Sequence, residues 1–258
     1  MNPYDQWVDL LMSAVDERRE LQPFAEANGV SIDDAYAIQD AVIARHVAAG
    51  DRVIGAKLGL TSKAKQVAMN VDEPGYGQLL ASTQLANEEP LRVAQLIHPR
   101  VEPEIVFVMG HSLAGPGVTA RDVIEATAAV GCGLEVIDSR FAAFKFTLAD
   151  VVADNTSAAR FVVGPTWVDP HDVPDLALVG CVLEANGQGV ATAAGAAVLG
   201  HPAESVALLA NWLGRQGRSI EAGWLVLSGG LTNAVPIVPG GHVSATFGRL
   251  GRVGIRAT

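Results

Sequence analysis

Lysine is scarce in this chain, with four in 258 residues: Lys57, Lys63, Lys65 and Lys145. With 18 basic against 28 acidic side chains the formal net charge is -10, and no basic patch interrupts it. Such a surface repels nucleic acid phosphates and anionic lipid, so neither is expected as a partner. No uninterrupted apolar run approaches the roughly 18–20 residues of a membrane span. The opening segment is acidic where a secretory leader would be basic, and it lacks a small-residue cleavage pattern. Only two cysteines occur, Cys132 and Cys181, both in apolar stretches. They read as buried thiols of a reducing compartment, so a cytoplasmic protein is expected. Neither a Walker loop nor a GxGxxG fingerprint is present, which removes the usual phosphate and dinucleotide cradles.

What remains is a core-forming sequence: 49% of the residues are hydrophobic, which excludes disorder. Charge is unevenly spread. Residues 1–60 carry 10 acids and 5 bases, residues 61–160 carry 12 and 8, and residues 161–258 only 6 and 5. The last third therefore reads as core material. At the start, Trp7, Leu10, Leu11 and Ala14 share a helical face with Val15 beside them. Asn28-Gly29 breaks the pattern, and Ser31 followed by Asp34 forms a short-armed capping box. A second helix then places Ala35, Ile38, Val42 and Ala49 on one stripe and ends at Gly50. Arg45 interrupts that stripe, its stem over the apolar face and its charge in water.

From Arg52 the texture becomes extended and glycine-punctuated. RVIGAKLGL reads as a strand entering a turn, TSKAKQVAMN as a short helix, and VDEPGYGQLL as a loop leading into a further strand. Leu91–Leu96 and Val101–Met109 continue as extended runs; Ala120–Ala129 reads as a helix and Gly131–Ile137 as a strand. Beyond residue 145, Asn-Gly and Gly-Gly steps between β-branched runs predict an antiparallel, heavily turned architecture interrupted by one helix, Pro202–Leu213. The expected fold is α+β. Residues 1–75 form a small N-terminal unit with helices, and residues 76–258 a mixed, β-rich core with packed helices.

The chemistry is concentrated in HPRVEPEIVFVMG. Glu102 and Glu104 stand two apart, so an extended strand turns both to one face. Two carboxylates in an apolar strand repel each other, and burying them is costly without compensation. Glu135, amid Leu134, Val136 and Ile137, offers a third. Three carboxylates with no histidine or cysteine cluster suit magnesium or manganese better than zinc. The competing reading pairs the two acids with Arg100 or Arg140 at a strand edge. His98, before Pro99, reads as a structural hydrogen-bonding residue.

Lys57 has apolar and glycine neighbours on both sides. It is either a stem packed on the core with its charge outside, or an ammonium held in a cavity and available for proton transfer. Lys63 and Lys65 read as solvated. Two polar islands follow. Asp154-Asn155-Thr156-Ser157 is a turn or cap, or else supplies a Thr156 or Ser157 hydroxyl to an anionic ligand. In GGLTNAVPIVPGG, glycines could let backbone amides approach a carboxylate.

Taken together, IGAKLGLTSKAKQVAMNVDEPGYG, IHPRVEPEIVFV, LEVIDSRFAAFKFTLADVVADNTSAARF, GAAVLGHPAESVALLANWLGRQG and LVLSGGLTNAVPIVPG resemble one family. It is the 2-keto-4-pentenoate hydratase and 2-oxo-3-hexenedioate (4-oxalocrotonate) decarboxylase family of the fumarylacetoacetate hydrolase-like fold. The likeness runs from about residue 28 to 255. It implies a β-roll or distorted barrel, a metal-dependent lyase of the meta-cleavage catabolism of aromatic compounds, and Mg2+ or Mn2+ on Glu102, Glu104 and Glu135. Lys57 falls in the K-x-G-[LV]-[TS] motif as the active-site lysine. Val152–Ser157 match VADN-[AS]-S, with Thr156 as a departure. Substrate contacts are expected at Leu60, Arg140, Ser157, Gly229, Gly230 and Thr232, with Arg140 or the Gly229 and Gly230 amides holding a carboxylate.

The resemblance further implies a small 2-oxo dicarboxylate or dienoate substrate, a homo-oligomer, and a complex with a sister enzyme of the family. Hydratases of the family usually show P-D-[FY]-G; here the segment is Pro74-Gly75-Tyr76-Gly77. That missing acid, with EVIDSRFAAFKF and SGGLTNAVP, looks more like the decarboxylase branch, hydratase being the alternative. A non-enzymatic partner subunit or metal-stabilised structural domain is the rival class.

Overall fold

The computed structural model describes residues 3–62, 66–67, 71 and 73–258. Its helices are α1 (Asp5–Glu17), α2 (Ile32–Ala48), α3 (Ala120–Ala126), α4 (Leu148–Ala153) and α5 (Pro202–Arg215). Strands β1 (Val53–Gly59), β2 (Gly75–Leu80), β3 (Gln84–Leu85), β4 (Pro90–Leu91), β5 (Arg100–Met109), β6 (Thr127–Ile137) and β7 (Ala158–Val168) come first. They are followed by β8 (Gly180–Ala185), β9 (Gln188–Ala194), β10 (Leu225–Leu227), β11 (Val235–Pro236), β12 (His242–Phe247) and β13 (Gly251–Ala257).

Among the described residues these strands form two sheets. The larger runs β2-β1-β10-β5-β6-β7-β3, with β11 beside β5; the smaller runs β4-β13-β12-β8-β9. The two edge strands of the larger sheet, β2 and β3, are separated in the chain by only Ala81–Thr83. Three residues span at most about 10 Å, so the sheet must curl until its edges nearly meet. This is the half-closed barrel expected of an α+β fold with a β-rich core. The smaller sheet packs β13 across β6 and β7, and one continuous apolar core joins both sheets to the helices. β1, from the N-terminal third, lies inside the larger sheet between β2 and β10.

Local rules account for most elements. The Ser31–Asp34 capping box opens α2. Arg45 on α2 reaches Asp5 and Asp9 of α1, tying the two helices together. Asn186 and Gly187, both at positive φ, close the β8–β9 hairpin. Val8, Leu11 and Ala14 form the buried face of α1, whereas Val15 is half exposed.

Three sequence expectations differ. Leu91–Leu96 is not extended: after β4 it makes a one-turn 3-10 segment at Val93–Gln95. The helix expected over Ala120–Ala129 stops at Ala126, because Thr127 turns extended and its hydroxyl bonds back to the Val123 carbonyl. Ala128 and Ala129 then enter β6, where cross-strand pairing overrides their helix preference. The β-branched run at 151–152 lies in α4, because Thr147 and Asp150 cap that helix. Asp150 Oδ1 also accepts the Phe24 and Ala25 amides, anchoring the segment before α2. Most of the helix expected over TSKAKQVAMN, together with Lys63 and Lys65, lies outside the described residues.

Candidate metal centre and active site

The site is built on the inner face of the curled sheet. β5 and β6 pair antiparallel with Glu102 opposite Glu135 and Glu104 opposite Gly133. Residues directly across a ladder share a face, so all three carboxylates point inward. One oxygen from each lies within 4.8 Å of the others. β10 runs parallel to β1 and antiparallel to β5, with Leu227 beside both Lys57 and Val106. That pairing turns Lys57 to the same interior as the acids. Below them Leu79, Val106, Phe161 and Leu227 form a small apolar plug inside the curl.

Lys57 is 2% exposed, Glu104 0% and Glu135 1%, which selects the cavity reading of the lysine over the surface one. Lys57 Nζ stands 3.0 Å from Glu135 Oε1 and donates to the Thr156 carbonyl at 2.9 Å. Burial, then the neighbouring Glu135, pushes the Glu104 carboxyl well above the usual carboxylate range, with Lys57 opposing. Burial also raises Glu135, again against the pull of Lys57. Lys57 can offset only one of the two fully buried carboxylates, Glu104 and Glu135, while Glu102 beside them is half-buried. Glu104 Oε1 and Glu135 Oε2 have no hydrogen-bond partner among the described residues. Orphaned buried carboxylate oxygens facing one another fit a divalent, oxygen-preferring cation.

The Asp154–Ser157 turn supplies the other wall. Asn155, Thr156 and Ser157 all have positive φ (49°, 53° and 58°), an unfavourable run without a glycine and most of all for a β-branched residue. Two clasps hold it. The Asn155 side chain pairs with β2, accepting the Gln78 amide at 2.8 Å and donating to the Gln78 carbonyl at 2.9 Å. Gly77 makes this approach possible, since a Cβ there would lie 2.5 Å from the Asn155 carbonyl oxygen. On the other side Arg140 grips Asp154 through both its carboxylate and its carbonyl, and donates to the Asp138 carbonyl at 2.9 Å.

Arg140 therefore differs from the expectation of a substrate-carboxylate holder. Four of its five N–H groups are committed, the fourth to the Ala158 carbonyl at 3.4 Å. The competing ion-pair reading fails for the same residue, because Asp154 is its partner. Arg100 instead lies over the Phe144 ring at 4.1 Å. The Gly229 amide is also committed: it donates to Glu104 Oε2 at 2.6 Å and so orients a carboxylate of the protein rather than of a ligand. The loop carrying Gly229 and Gly230 is held along β5 by Ser228 and Leu231, which bond to the Ile105 and Pro103 carbonyls. The Thr232 hydroxyl donates to the Asn233 carbonyl, and that of Ser157 to Asp154 at 3.5 Å. Leu60 is half-buried, with φ 60°, and its carbonyl accepts from Gln66. His98 is structural, its ring 2.9 Å from Glu20 and its amide on Asp138.

Sequence reasoning passed over Thr61. It is 1% exposed, its hydroxyl has no partner among the described residues, and it lies against Gly229, where a Cβ would be 2.1 Å from Oγ1. The Thr156 hydroxyl is orphaned in the same way, and its methyl approaches Gly59 beside Lys57 Nζ. Two unpaired hydroxyls, two unpaired carboxylate oxygens and one ammonium thus converge, as a polar ligand requires.

Comparison with known proteins agrees with this architecture. The fumarylacetoacetate (FAA) hydrolase C-terminal family model matches residues 47–256. A 4-oxalocrotonate decarboxylase of Pseudomonas sp. (strain CF600) is 44% identical over 223 residues, covering 86% of this chain and 84% of that one. A 2-hydroxyhexa-2,4-dienoate hydratase of Comamonas testosteroni is 39% identical over 251 residues, 96% of this chain and 95% of that one. The structure of 4-oxalocrotonate decarboxylase from Pseudomonas putida G7, complexed with magnesium and adipate, superposes with a TM-score of 0.94 at 38% identity. That match covers 98% of this chain and 96% of the other. The chain belongs to the FAA hydrolase-like superfamily and, within it, to the 4-oxalocrotonate decarboxylase and 2-keto-4-pentenoate hydratase family.

Proposed function

We propose that this protein is a Mg2+- or Mn2+-dependent 2-oxo-3-hexenedioate decarboxylase, releasing carbon dioxide and 2-hydroxypenta-2,4-dienoate in meta-cleavage catabolism of aromatic compounds. The observation that carries the choice of branch is Gly75. A Cβ at this position would face Val152 and Thr156 at 3.5–3.8 Å, an ordinary contact, so a side chain there would fit and would reach the Lys57 wall. Hydration needs a base for the attacking water, and this position, which carries an acid in the hydratase motif, offers none. Support also comes from relatives named as decarboxylases at 44% identity.

In this reading Glu102, Glu104 and Glu135 hold the cation, and the Gly229 amide fixes the orientation of Glu104. A divalent ion held there would supply Lewis-acid polarisation of the 2-oxo group and stabilisation of the negative charge on its oxygen. The distal carboxylate of the substrate is vinylogously β to that ketone. As the bond from C5 to the carboxyl carbon breaks, its electron pair moves through C4=C5 and C2=C3 to the 2-oxo oxygen. Lys57 Nζ, aimed by the Thr156 carbonyl and Glu135, gives a proton to that oxygen. The Thr61 and Thr156 hydroxyls donate to the substrate, and the apolar plug below excludes water.

The hydratase of 2-hydroxypenta-2,4-dienoate is the second reading, favoured by the 39% match to a hydratase over nearly the full length of both chains. Incubating the Mg2+-loaded protein separately with 2-oxo-3-hexenedioate and 2-hydroxypenta-2,4-dienoate distinguishes them. Carbon dioxide release from the first, without conversion of the second to 4-hydroxy-2-oxopentanoate, is the expected result. The opposite pattern overturns the assignment.

A further inference from the structure

Outside the barrel, between the α1–α2 pair and the outer face of β7, lies a cavity of about 270 Å3. This is close to the lower end of ordinary small-molecule pockets, about 300 Å3. Its apolar walls come from Leu11 and Met12 of α1, Val42 and Ile43 of α2, and Leu80 of β2. Arg160 of β7 also lines it; because Phe161 points into the barrel plug, its neighbour Arg160 points outward. We propose that this cavity is a second ligand site, distinct from the carboxylate cluster, that takes a small amphipathic carboxylate with its head on Arg160 and its hydrocarbon body against α1 and α2.

Three of the charged groups at the cavity wall already have partners. Arg140 and Asp154, which also border the cavity, are paired with each other. Asp138 gives its two oxygens to the Ile97 and His98 amides. Asp16 and His46 stand on the α1 and α2 rims. Arg160 keeps most of its donors unused: its one side-chain hydrogen bond among the described residues goes to the adjacent Ala159 carbonyl. No carboxylate of the described residues lies within ion-pair distance of it. Burial pulls its guanidinium below the usual arginine range, with only the field of Asp138 opposing. A planar fork of free N–H groups facing an apolar chamber is matched by a carboxylate on a short hydrocarbon. A second cavity of about 270 Å3, with Arg92 on its wall, opens on the same side chain, so Arg160 is reached from both. Asn155 of the turn that presents Thr156 to Lys57 also lines the first cavity, so the two sites share one structural element.

Hexanoate is the probe. Met12 lines the cavity while Met109 is buried at the end of β5, so methyl resonances of labelled methionines in the Mg2+-loaded protein report occupancy locally. Hexanoate should shift the Met12 signal saturably and leave Met109 in place, and Glu104→Gln should not change that titration. Hexan-1-ol should bind at least tenfold more weakly. Arg160→Gln should weaken hexanoate at least tenfold without affecting hexan-1-ol, and Val42→Trp, which fills the chamber, should abolish both. An unmoved Met12 signal, or equal wild-type affinity for hexanoate and hexan-1-ol, overturns the proposal even if a variant fails to fold. So does unchanged hexanoate affinity in a folded Arg160→Gln protein.

Discussion

Replacing Arg140 by methionine tests whether this residue clamps the active-site turn or binds substrate. The substitution keeps an unbranched apolar stem but removes the partner of Asp154, which is buried beneath it. Breaking one half of a buried ion pair costs roughly 3–5 kcal/mol, because the remaining charge is left uncompensated. At about 2–4 °C per kcal/mol for a chain of this size, the melting temperature should fall by on the order of 10 °C. The loss should depend on pH in a definite direction. Burial pushes the Asp154 carboxyl up to about 6 even against the pull of Arg140. The unfolded value is about 3.9, so protonation favours the folded state, and this contribution fades as pH rises through about 6. Without Arg140 the carboxyl ionises later still, so the variant keeps losing stability above pH 6 where the wild type has levelled off. Thermal melts from pH 5 to 8 should therefore show a deficit that widens with pH. Arg140→Met combined with Asp154→Asn should recover part of it. A variant as stable as the wild type with a KM raised tenfold or more would refute the clamp and restore a substrate-binding role.

Three further outcomes follow from the same geometry. Glu104→Gln should lose stoichiometric Mn2+ binding, read by electron paramagnetic resonance, while the metal-free protein stays at least as stable because one crowded charge is gone; full occupancy would reject Glu104 as a ligand. Lys57→Met should lower turnover at least a hundredfold while Mn2+ still binds. In the metal-free state it should also destabilise the protein by about 3 kcal/mol, because Glu135 loses its partner, and added Mn2+ should restore most of that melting temperature; near-normal turnover would remove Lys57 from the chemistry. Gly77→Ala places a methyl 2.5 Å from the Asn155 carbonyl oxygen, so it should cost about 1–3 kcal/mol and reduce kcat more than it changes KM.

Much of the site was legible because it depends on short-range rules. The two-residue spacing of Glu102 and Glu104 determined a common face, and an apolar setting for Lys57 and Glu135 marked both as unusual. The Ser31–Asp34 cap and the Pro202 helix were readable for the same reason, since each is decided within a few residues. Reading failed where a distant partner decided the outcome. Ala129 is a good helix former that became strand through pairing with Val108 of β5. Val151 and Val152 are good strand formers that became helix where the distant Phe24 and Ala25 amides anchor Asp150.

By itself, then, the sequence singled out the candidate residues: three acids and one lysine placed where surface logic does not apply. Only the tertiary structure decided what they face. β10, from the last part of the chain, inserts between β1 and β5, and this insertion turns Lys57 toward Glu135 at 3.0 Å. The positive-φ turn at Asn155–Ser157 is likewise held from a distance, by Gln78 on β2, and burial commits Arg140 to Asp154. The physical reason is that side-chain alternation and capping are local properties of a chain, whereas register, burial and the partner of each charge are set by which separate segments pack together.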